Sequence, residues 1–416
     1  MDAESSGVSG LKNSMAISPS QDSPIKPPAF ALFAYGFRPF FLAAGIYALI
    51  GLIAWLWMYT TGVHPLPTQP AQFWHGHEML YGFIGAAIAG FLLTAVPSWT
   101  SARGFAGTPL ILLAALWLIG RLAFAAAAVL PLTIVAICEL AFIPALAGLL
   151  APPLLRARNR NSPLLLVLAG IWLTDVVFMH ALIRDDVLLA RTALLVAIDI
   201  VLLLVTVIGG RIVPAFTASG LRARGLVPHL RTSRWVDGIV IAAMTAVVFV
   251  DIVAPSHQVA SAVAAVAAIT HVWRLIGWRS WRALDEPLVW SLHLAYAWLP
   301  AGLAMKALYL SGNAAWAAPW LHALTIGVAA AMILAVMTRA SLGHTGRPLL
   351  ASRLISGAYF LLSLAAVIRV FAPSIAPGAY QSSVMAAGAL WICAFAIFIV
   401  VYTPILLRSR IDGRQG

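Results

Sequence analysis

Residues 187–213 read VLLARTALLVAIDIVLLLVTVIGGRIV, and Arg191, Asp199 and Arg211 are the only charged residues among them. A helix needs about 20 mostly apolar residues to cross the roughly 30 Å hydrocarbon core of a bilayer, whereas buried helices of soluble proteins have shorter apolar runs. The backbone N–H and C=O groups of such a segment form hydrogen bonds within the helix, so they need no hydrogen-bond partner from the lipid. The stretch therefore predicts a membrane-spanning helix.

The same pattern occurs in eleven further runs. Hydrophobic residues make up 62% of the 416 residues and charged residues only 10%, against roughly 25% charged residues in soluble proteins. A soluble protein of this composition would expose a large apolar surface and aggregate, and disordered, collagen-like and coiled-coil chains are excluded as well. We therefore expect an all-α polytopic membrane protein with about 12 transmembrane helices. The predicted spans are 39–60, 73–96, 108–128, 131–155, 163–183, 187–213, 235–254, 258–278, 287–310, 317–338, 349–371 and 384–407.

The two ends of the chain lie outside these spans. Residues 1–35 are rich in serine and proline and lack the apolar run of a cleavable signal peptide, so we expect a mobile cytoplasmic tail there. Residues 36–408 would form one membrane domain and residues 409–416 a second cytoplasmic tail. Cys138 and Cys393 both lie in apolar runs, which argues against a disulfide framework and against a cysteine-based zinc or iron–sulfur site.

The net charge of +12 is distributed unevenly along the chain. With both termini in the cytoplasm, 21 of the 26 lysine and arginine residues fall in or beside cytoplasmic segments. The five in the outer half are Arg121, Arg184, Arg191, Lys306 and Arg369. This bias agrees with the positive-inside rule at every alternate connection. The charge therefore predicts an orientation with both termini cytoplasmic, and no nucleic-acid partner is needed to explain it.

Histidines are the most informative ionisable residues here. Ionisable side chains inside a bilayer cost roughly 2.5–3.5 kcal/mol each on insertion scales, so each is a functional candidate. Neutral imidazole is a common ligand of haem iron and copper. The predicted topology places four histidines at similar depth in the outer third of the membrane: His75, His77, His180 and His322. His271 and His293 lie in the inner half and His344 in an inner connection, too far along the membrane normal to share one metal with the outer group.

The sharpest local motif is WHGHEM at residues 74–79. Positions i and i+2 of a regular helix point about 200° apart, so His75 and His77 cannot both bind one metal from such a helix. Either the helix starts between them, or they serve different centres, or one of them supports a ligand. His75 shares a helix face with Gly82 and Gly90, and this small-residue stripe either allows close helix packing or leaves room for a flat porphyrin.

Other polar residues could move protons or hold anionic groups. Glu78 is our first candidate for proton delivery, although buried carboxylates could equally pair with the outer arginines. On the ninth span His293 and Tyr296 are i, i+3 neighbours, and Tyr296 could act as a hydrogen-bond or proton partner. Arg339 could hold a carboxylate such as a haem propionate. For each single histidine, a satisfied buried imidazole is the alternative.

The second and tenth spans share a weak pattern. Each begins near a histidine (His75, His322), is rich in glycine and alanine, and leads to a Gly-x-Pro-Leu turn, at residues 107–110 and 346–349. This pattern is a faint indication of an internal repeat.

Several longer stretches resemble the NnrS family, polytopic proteins of the bacterial inner membrane. They are residues 36–41 (GFRPFF), 73–83 (FWHGHEMLYGF), 89–97 (AGFLLTAVP), 116–123 (LWLIGRLA), 322–327 (HALTIG) and 337–347 (MTRASLGHTGR). The resemblance spans essentially residues 33–407 and leaves the N-terminal tail outside. It implies haem and copper as cofactors and a role in handling nitric oxide and nitrosative stress.

The residues and the resemblance together predict a haem/copper protein. No CxxCH motif is present, so any haem would be non-covalent and of the b type. The four outer histidines would supply one axial ligand to haem iron and up to three ligands to copper, where nitric oxide would be reduced to N2O with electrons from an unknown donor. Glu78 and Tyr296 would be catalytic. His293, His344 and Arg339 would form an inner haem or regulatory site.

Two other classes of function remain open. Twelve helices with both ends inside are also the common plan of secondary transporters. A non-catalytic haem-binding sensor or protection protein would have the same ligands without turnover. A haem absorption band would exclude a plain transporter, and nitric oxide consumption under reductant would separate an enzyme from a binding protein.

Overall fold

The computed structural model describes residues 30–255, 258–312 and 314–412. Within these ranges the chain is helical without strands, and twelve helices are long and apolar enough to cross a membrane. The predicted all-α, twelve-helix architecture is thereby confirmed. The helices are α1 (Phe37–Thr61), α2 (Ala71–Thr100), α3 (Thr108–Ala125), α4 (Leu132–Arg156), α5 (Leu164–Arg184), α6 (Val187–Ala223), α7 (Arg234–Val253), α8 (Gln258–Gly277), α9 (Pro287–Leu310), α10 (Ala315–His344), α11 (Arg353–Ile375) and α12 (Pro377–Leu407).

Successive helices run in alternate directions, so the bundle has two distinct ends. We call one the arginine-rich end: it carries the α2–α3, α4–α5, α6–α7, α8–α9 and α10–α11 connections. The other is the opposite end, where α2 and α10 begin. Helices α2, α6, α9 and α10 are buried over most of their apolar length, whereas the other helices expose more apolar surface at the outside of the bundle.

Helix α6 differs most from its predicted span. The apolar run predicts an end at residue 213, but the helix continues through Pro214 to Ala223. Pro214 lacks a backbone donor, yet the hydroxyl of Thr217 donates to the carbonyl oxygen of Val213 at 2.7 Å and provides another local bond. Pro214 and Thr217 are buried, so packing holds the helix beyond its apolar run.

Two central helices contain π-helical segments. They are Glu78–Ile84 in α2 and Ala323–Ala330 in α10, and each begins directly after a histidine, His77 or His322. Such segments are rare in proteins and often occur at functional sites. They fall in the same two helices that share a weak sequence pattern, and both lie toward the opposite end of the bundle.

The small-residue stripe of α2 is used for close packing. A Cβ atom added at Gly90 would lie 2.6 Å from the Cδ1 atom of Phe41, and one added at Gly82 would lie 2.8 Å from the Cδ1 atom of Tyr47. Aromatic rings of α1 therefore occupy the space in front of these two glycines. Of the two interpretations left open by the sequence, the structure supports helix packing on this stripe.

The chain ends pack on the arginine-rich end as far as they are described. Residues 1–29 of the predicted N-terminal tail and residues 413–416 of the C-terminal tail lie outside the described residues. The amide of Ala31 donates to the carbonyl oxygen of Leu407 at 2.8 Å. Arg410 donates to the carbonyl oxygen of His344 at 2.8 Å. The described parts of both ends are therefore held against the bundle.

Candidate functional site

His77 lies in a closed pocket near the opposite end of the bundle. Its ring is fully buried and stacks between Phe124 and Phe178, with ring centroids 4.0 and 5.0 Å away. Its Nδ1 atom lies 3.0 Å from Oε1 of Glu78, and its Nε2 atom lies 3.2 Å from Oδ1 of Asp175. Because a neutral imidazole has one N–H group, these two bonds require either a protonated imidazole or a protonated carboxyl group. The arrangement therefore holds a proton.

Arg121 joins a third carboxylate to this group. Its Nη1 atom donates to Oε1 of Glu78 at 2.6 Å, and its Nη2 atom donates to Glu139. We call His77, Glu78, Arg121, Glu139 and Asp175 the carboxylate cluster. Unpaired charge is expensive in a buried site. Arg121 compensates only one of three possible negative charges, so the cluster approaches neutrality when two protons reside on its carboxyl groups and imidazole.

Residues of the π-helical segment Glu78–Ile84 make further hydrogen bonds around the carboxylate cluster. A π turn leaves backbone groups without the usual helical partners, and the indole of Trp117 donates to the carbonyl oxygen of Gly82 at 3.0 Å. The hydroxyl of Tyr81 donates to Thr174 at 3.1 Å, next to Asp175 on α5. The Oε2 atom of Glu78 is buried without a hydrogen-bond partner, so Glu78 can accept one more donor.

The cluster suits protons better than a haem or copper ion. Among the described residues, one group of three metal-ligating side chains has ligand atoms that all lie within 4.8 Å of one another: His77, Glu139 and Asp175. Carboxylate oxygens favour hard cations over copper. The guanidinium of Arg121, already bound to Glu139, also places a positive charge beside the space that a cation would occupy.

His75 has surroundings quite different from those of His77. Helix α2 begins at Ala71 and is regular through both residues, so the helix does not start between them. The ring of His75 stacks on Trp55 with centroids 4.5 Å apart, and its Nδ1 atom is buried without a partner. His75 and His77 therefore serve different environments, one of the alternatives that the i, i+2 spacing left open.

His322 comes together with His75 at the opposite end. His322 lies within electrostatic range of His75, and Arg369 lies within electrostatic range of both imidazoles. His322 directly precedes the π-helical segment of α10 and is half-buried. An unpaired imidazole nitrogen in a buried position is costly, and a metal bond would remove that cost. The donor chemistry of this histidine pair therefore fits haem iron or copper.

His180 does not join this pair. It lies on α5 with an exposed side chain. Of the four predicted outer histidines, the structure thus brings together His75 and His322, encloses His77 in the carboxylate cluster, and leaves His180 at the surface. The predicted four-histidine set is not assembled in the described structure, and the ligand roles of its members stay predictions.

In the inner half, His293 is bound through both ring nitrogens. Its Nε2 atom lies 2.8 Å from the hydroxyl of Thr217 and its Nδ1 atom 2.9 Å from the hydroxyl of Ser280. Thr217 already donates its proton to Val213, so it accepts from Nε2–H, and Ser280 donates to Nδ1. In this arrangement His293 is a satisfied buried imidazole.

Tyr296 faces His271 rather than His293. Its hydroxyl lies 2.7 Å from Nδ1 of His271, and Arg274 donates to the same oxygen at 3.2 Å. Arg274 also donates to Asp237 at 2.6 Å. The sequence reasoning missed this cluster, although His271 and Arg274 are i, i+3 neighbours on α8 and their spacing was a usable signal.

The other members of the predicted inner site lie apart. His344 packs near Tyr35 and Phe37, with ring centroids 6.2 and 5.6 Å away. Burial raises the pKa of Tyr35, which lies before α1, so its phenol stays neutral. The guanidinium of Arg339 lies 4.3 Å from the centroid of Phe216. Within the described residues, no hydrogen bond or ring contact joins His293, His344 and Arg339.

The fold and these sites define a multi-pass all-α membrane protein with buried histidine and carboxylate groups near one end of the bundle. A family model described as NnrS protein matches residues 31–410, so the chain belongs to the NnrS family, as the sequence motifs predicted. Membership suggests a membrane protein linked to nitric oxide and associated with haem and copper. The search of curated proteins finds no match.

Proposed function

We propose that this protein binds nitric oxide at a haem- and copper-containing centre near the opposite end of the bundle and reduces it to N2O in the bacterial inner membrane. The observation that carries the proposal is the buried, unpartnered Nδ1 atom of His75, which lies within electrostatic range of His322 and two residues before His77 of the carboxylate cluster. The excess of arginine at the other end supports an orientation in which this site faces the periplasm.

His75 and His322 would hold the metals. The Nδ1 atom of His75 has no partner, and stacking on Trp55 fixes the plane of its ring. When bound, haem iron and copper would supply a binding site for diatomic nitric oxide and transfer electrons to it.

The carboxylate cluster would supply the protons. Reduction of two NO molecules to N2O and water consumes two electrons and two protons, and the cluster approaches neutrality with two protons. Glu78 is the carboxyl group nearest to His75 along the chain, three residues after it, and its Oε2 atom is buried without a hydrogen-bond partner. Tyr296 belongs to the separate cluster with His271 and has no role in this proposal.

The test uses the purified full-length protein in detergent. The optical spectrum and elemental analysis measure haem and copper, and an electrode and gas chromatography measure NO consumption and N2O formation under an artificial reductant. We expect His75→Ala and His322→Ala to lose metal, while His180→Ala, at the same end but exposed, keeps it. Metal without N2O formation would favour a sensor or protection protein. Absence of haem and copper in the wild type would overturn the proposal.

A further inference from the structure

A polar pocket opens at the arginine-rich end of the bundle. It lies between the end of α2, the α4–α5 connection and α6. Trp99, Asn159, Arg160, Asn161 and Arg211 provide its polar and aromatic lining. The carboxylate cluster and the His75–His322 pair lie at the other end, so this pocket is separate from the site of the proposed reaction.

The walls of the pocket are held by hydrogen bonds. The side-chain amide of Asn159 donates to the carbonyl oxygen of Trp99 at 2.8 Å, and the backbone amide of Asn161 donates to Oδ1 of Asn159 at 2.9 Å. Arg211 donates to Oδ1 of Asn161, which is itself buried. The α4–α5 connection is thus tied both to α2 and to α6, and the pocket is preformed.

The charge of the pocket is positive and uncompensated within its lining. Arg160 and Arg211 are close enough to repel each other, and among the described residues none that lines the pocket is acidic. Asp237 is within electrostatic range of Arg211, but its carboxylate is bound by Arg274 at 2.6 Å. Two neighbouring guanidinium groups with no carboxylate between them favour an anion, and arginine suits the geometry of a phosphate.

A narrow apolar crevice continues from the same place toward the middle of the membrane. Ile208 and Ile212 line both the polar pocket and the crevice. From Ile212 to Val201 on α6 the crevice extends over eleven residues, or about 16 Å. This distance is close to half of the roughly 30 Å hydrocarbon core, the depth that one lipid leaflet occupies.

We propose that the polar pocket and the crevice together bind one anionic phospholipid. The phosphate lies between Arg160 and Arg211, and one acyl chain follows Ile212 and Ile208 into the crevice. Val205 and Ile333 in the crevice wall are partly exposed, so a chain can enter from the lipid. A zwitterionic lipid would bring its own cationic group close to the two arginines. A neutral quinone would leave both arginines without a counter-charge. The zwitterionic lipid and the quinone therefore fit this site less well than an anionic phospholipid does.

Native mass spectrometry of the purified protein tests this site. The protein is mixed with equal amounts of dioleoyl phosphatidylglycerol and dioleoyl phosphatidylcholine in neutral detergent, and the lipid retained at increasing collision energy is measured. We expect one preferentially retained phosphatidylglycerol. The double variant Arg160→Gln/Arg211→Gln should weaken its binding about 30-fold, since each arginine near the membrane surface contributes about a fivefold factor.

Two further variants complete the test. Arg156→Gln removes the same charge from an exposed position that does not line the pocket, and it should bind like the wild type. Ile333→Trp should weaken phosphatidylglycerol binding about tenfold by filling the crevice, without touching the arginines. Equal retention of the two lipids, unchanged retention in the double variant or in Ile333→Trp, or displacement of the lipid by a neutral quinone analogue would each overturn the proposal.

Discussion

His77 and Asp175 lie 98 residues apart in the chain and face each other inside the bundle, with Nε2 and Oδ1 3.2 Å apart. On its other side His77 contacts Glu78 at 3.0 Å. An imidazole between two carboxyl groups, stacked between Phe124 and Phe178, can neither rotate freely nor reach water. Its two ring nitrogens connect Asp175 with Glu78, so a proton that passes through the imidazole would pass between these two carboxyl groups.

Asp175→Asn should therefore slow turnover without removing metal. The asparagine amide keeps the shape of the site but cannot take up and release a proton as the carboxyl group of Asp175 does. We therefore expect the rate of NO consumption to fall at least about tenfold, within the range typical of general acid–base groups. Haem and copper content should stay at the wild-type level. Asp285→Asn, at an exposed position at the other end, is the control. A normal rate in Asp175→Asn would separate the cluster from catalysis.

Arg121→Met should destabilise the protein strongly. The substitution leaves Glu78 and Glu139 buried without their shared cation, and breaking a buried ion pair typically costs about 3–5 kcal/mol. Thermal unfolding in detergent measures the effect. Arg184→Met, which removes an exposed arginine near the same end, should change little.

A compensated variant separates charge from packing at the same position. If the cost comes from unpaired charge, adding Glu78→Gln and Glu139→Gln to Arg121→Met should recover a large part of the lost stability. No recovery in this triple variant would mean that Arg121 acts mainly through its packing.

The helices could be predicted from the sequence because lipid imposes one requirement on every span. Each span must be apolar and long enough to cross the bilayer, and hydropathy reads both properties directly. The i, i+2 spacing of His75 and His77 could exclude one shared metal on a regular helix, because that angle is a local property of a helix, but it left three alternatives open, among which the structure decides. Pairing of buried carboxylates with outer arginines was one open alternative, and Arg121 realises it with Glu78 and Glu139. Which residues form the carboxylate cluster could not be predicted, because this depends on which faces of α3, α4 and α5 meet α2.

The hydrogen bonds of His293 could not be predicted from the sequence either. Its hydrogen bond to Thr217 exists only because α6 continues past Pro214, where the apolar run and the proline both indicate an end. The π-helical segments of α2 and α10 likewise leave no plain mark in the sequence. Interactions that depend on a helix extending past a proline, or on a π-helical segment, could be found only in the structure.

Gly82→Ala should disturb the carboxylate cluster through packing alone. The new Cβ atom would lie 2.8 Å from Cδ1 of Tyr47 and 3.2 Å from Nη1 of Arg121, so both side chains must move. Overpacking of this kind costs about 1–3 kcal/mol, and we expect a lower unfolding temperature. Gly148→Ala in α4 has open space around the new atom and should be neutral or slightly stabilising. Equal behaviour of the two variants would contradict the close approach at Gly82.

His293→Asn decides between the two interpretations of the inner histidine. If His293 is a structural residue, its Nε2 and Nδ1 atoms only form hydrogen bonds with Thr217 and Ser280. The variant should then keep the wild-type haem and copper content. Its stability should fall by about 1–3 kcal/mol, because asparagine is too short to reach both hydroxyls and leaves a buried group unsatisfied. Thr217→Val removes one of these partners and should show the same signature with a smaller loss. Loss of haem in His293→Asn, with unfolding otherwise unchanged, would instead assign His293 to the inner cofactor site that the sequence predicts.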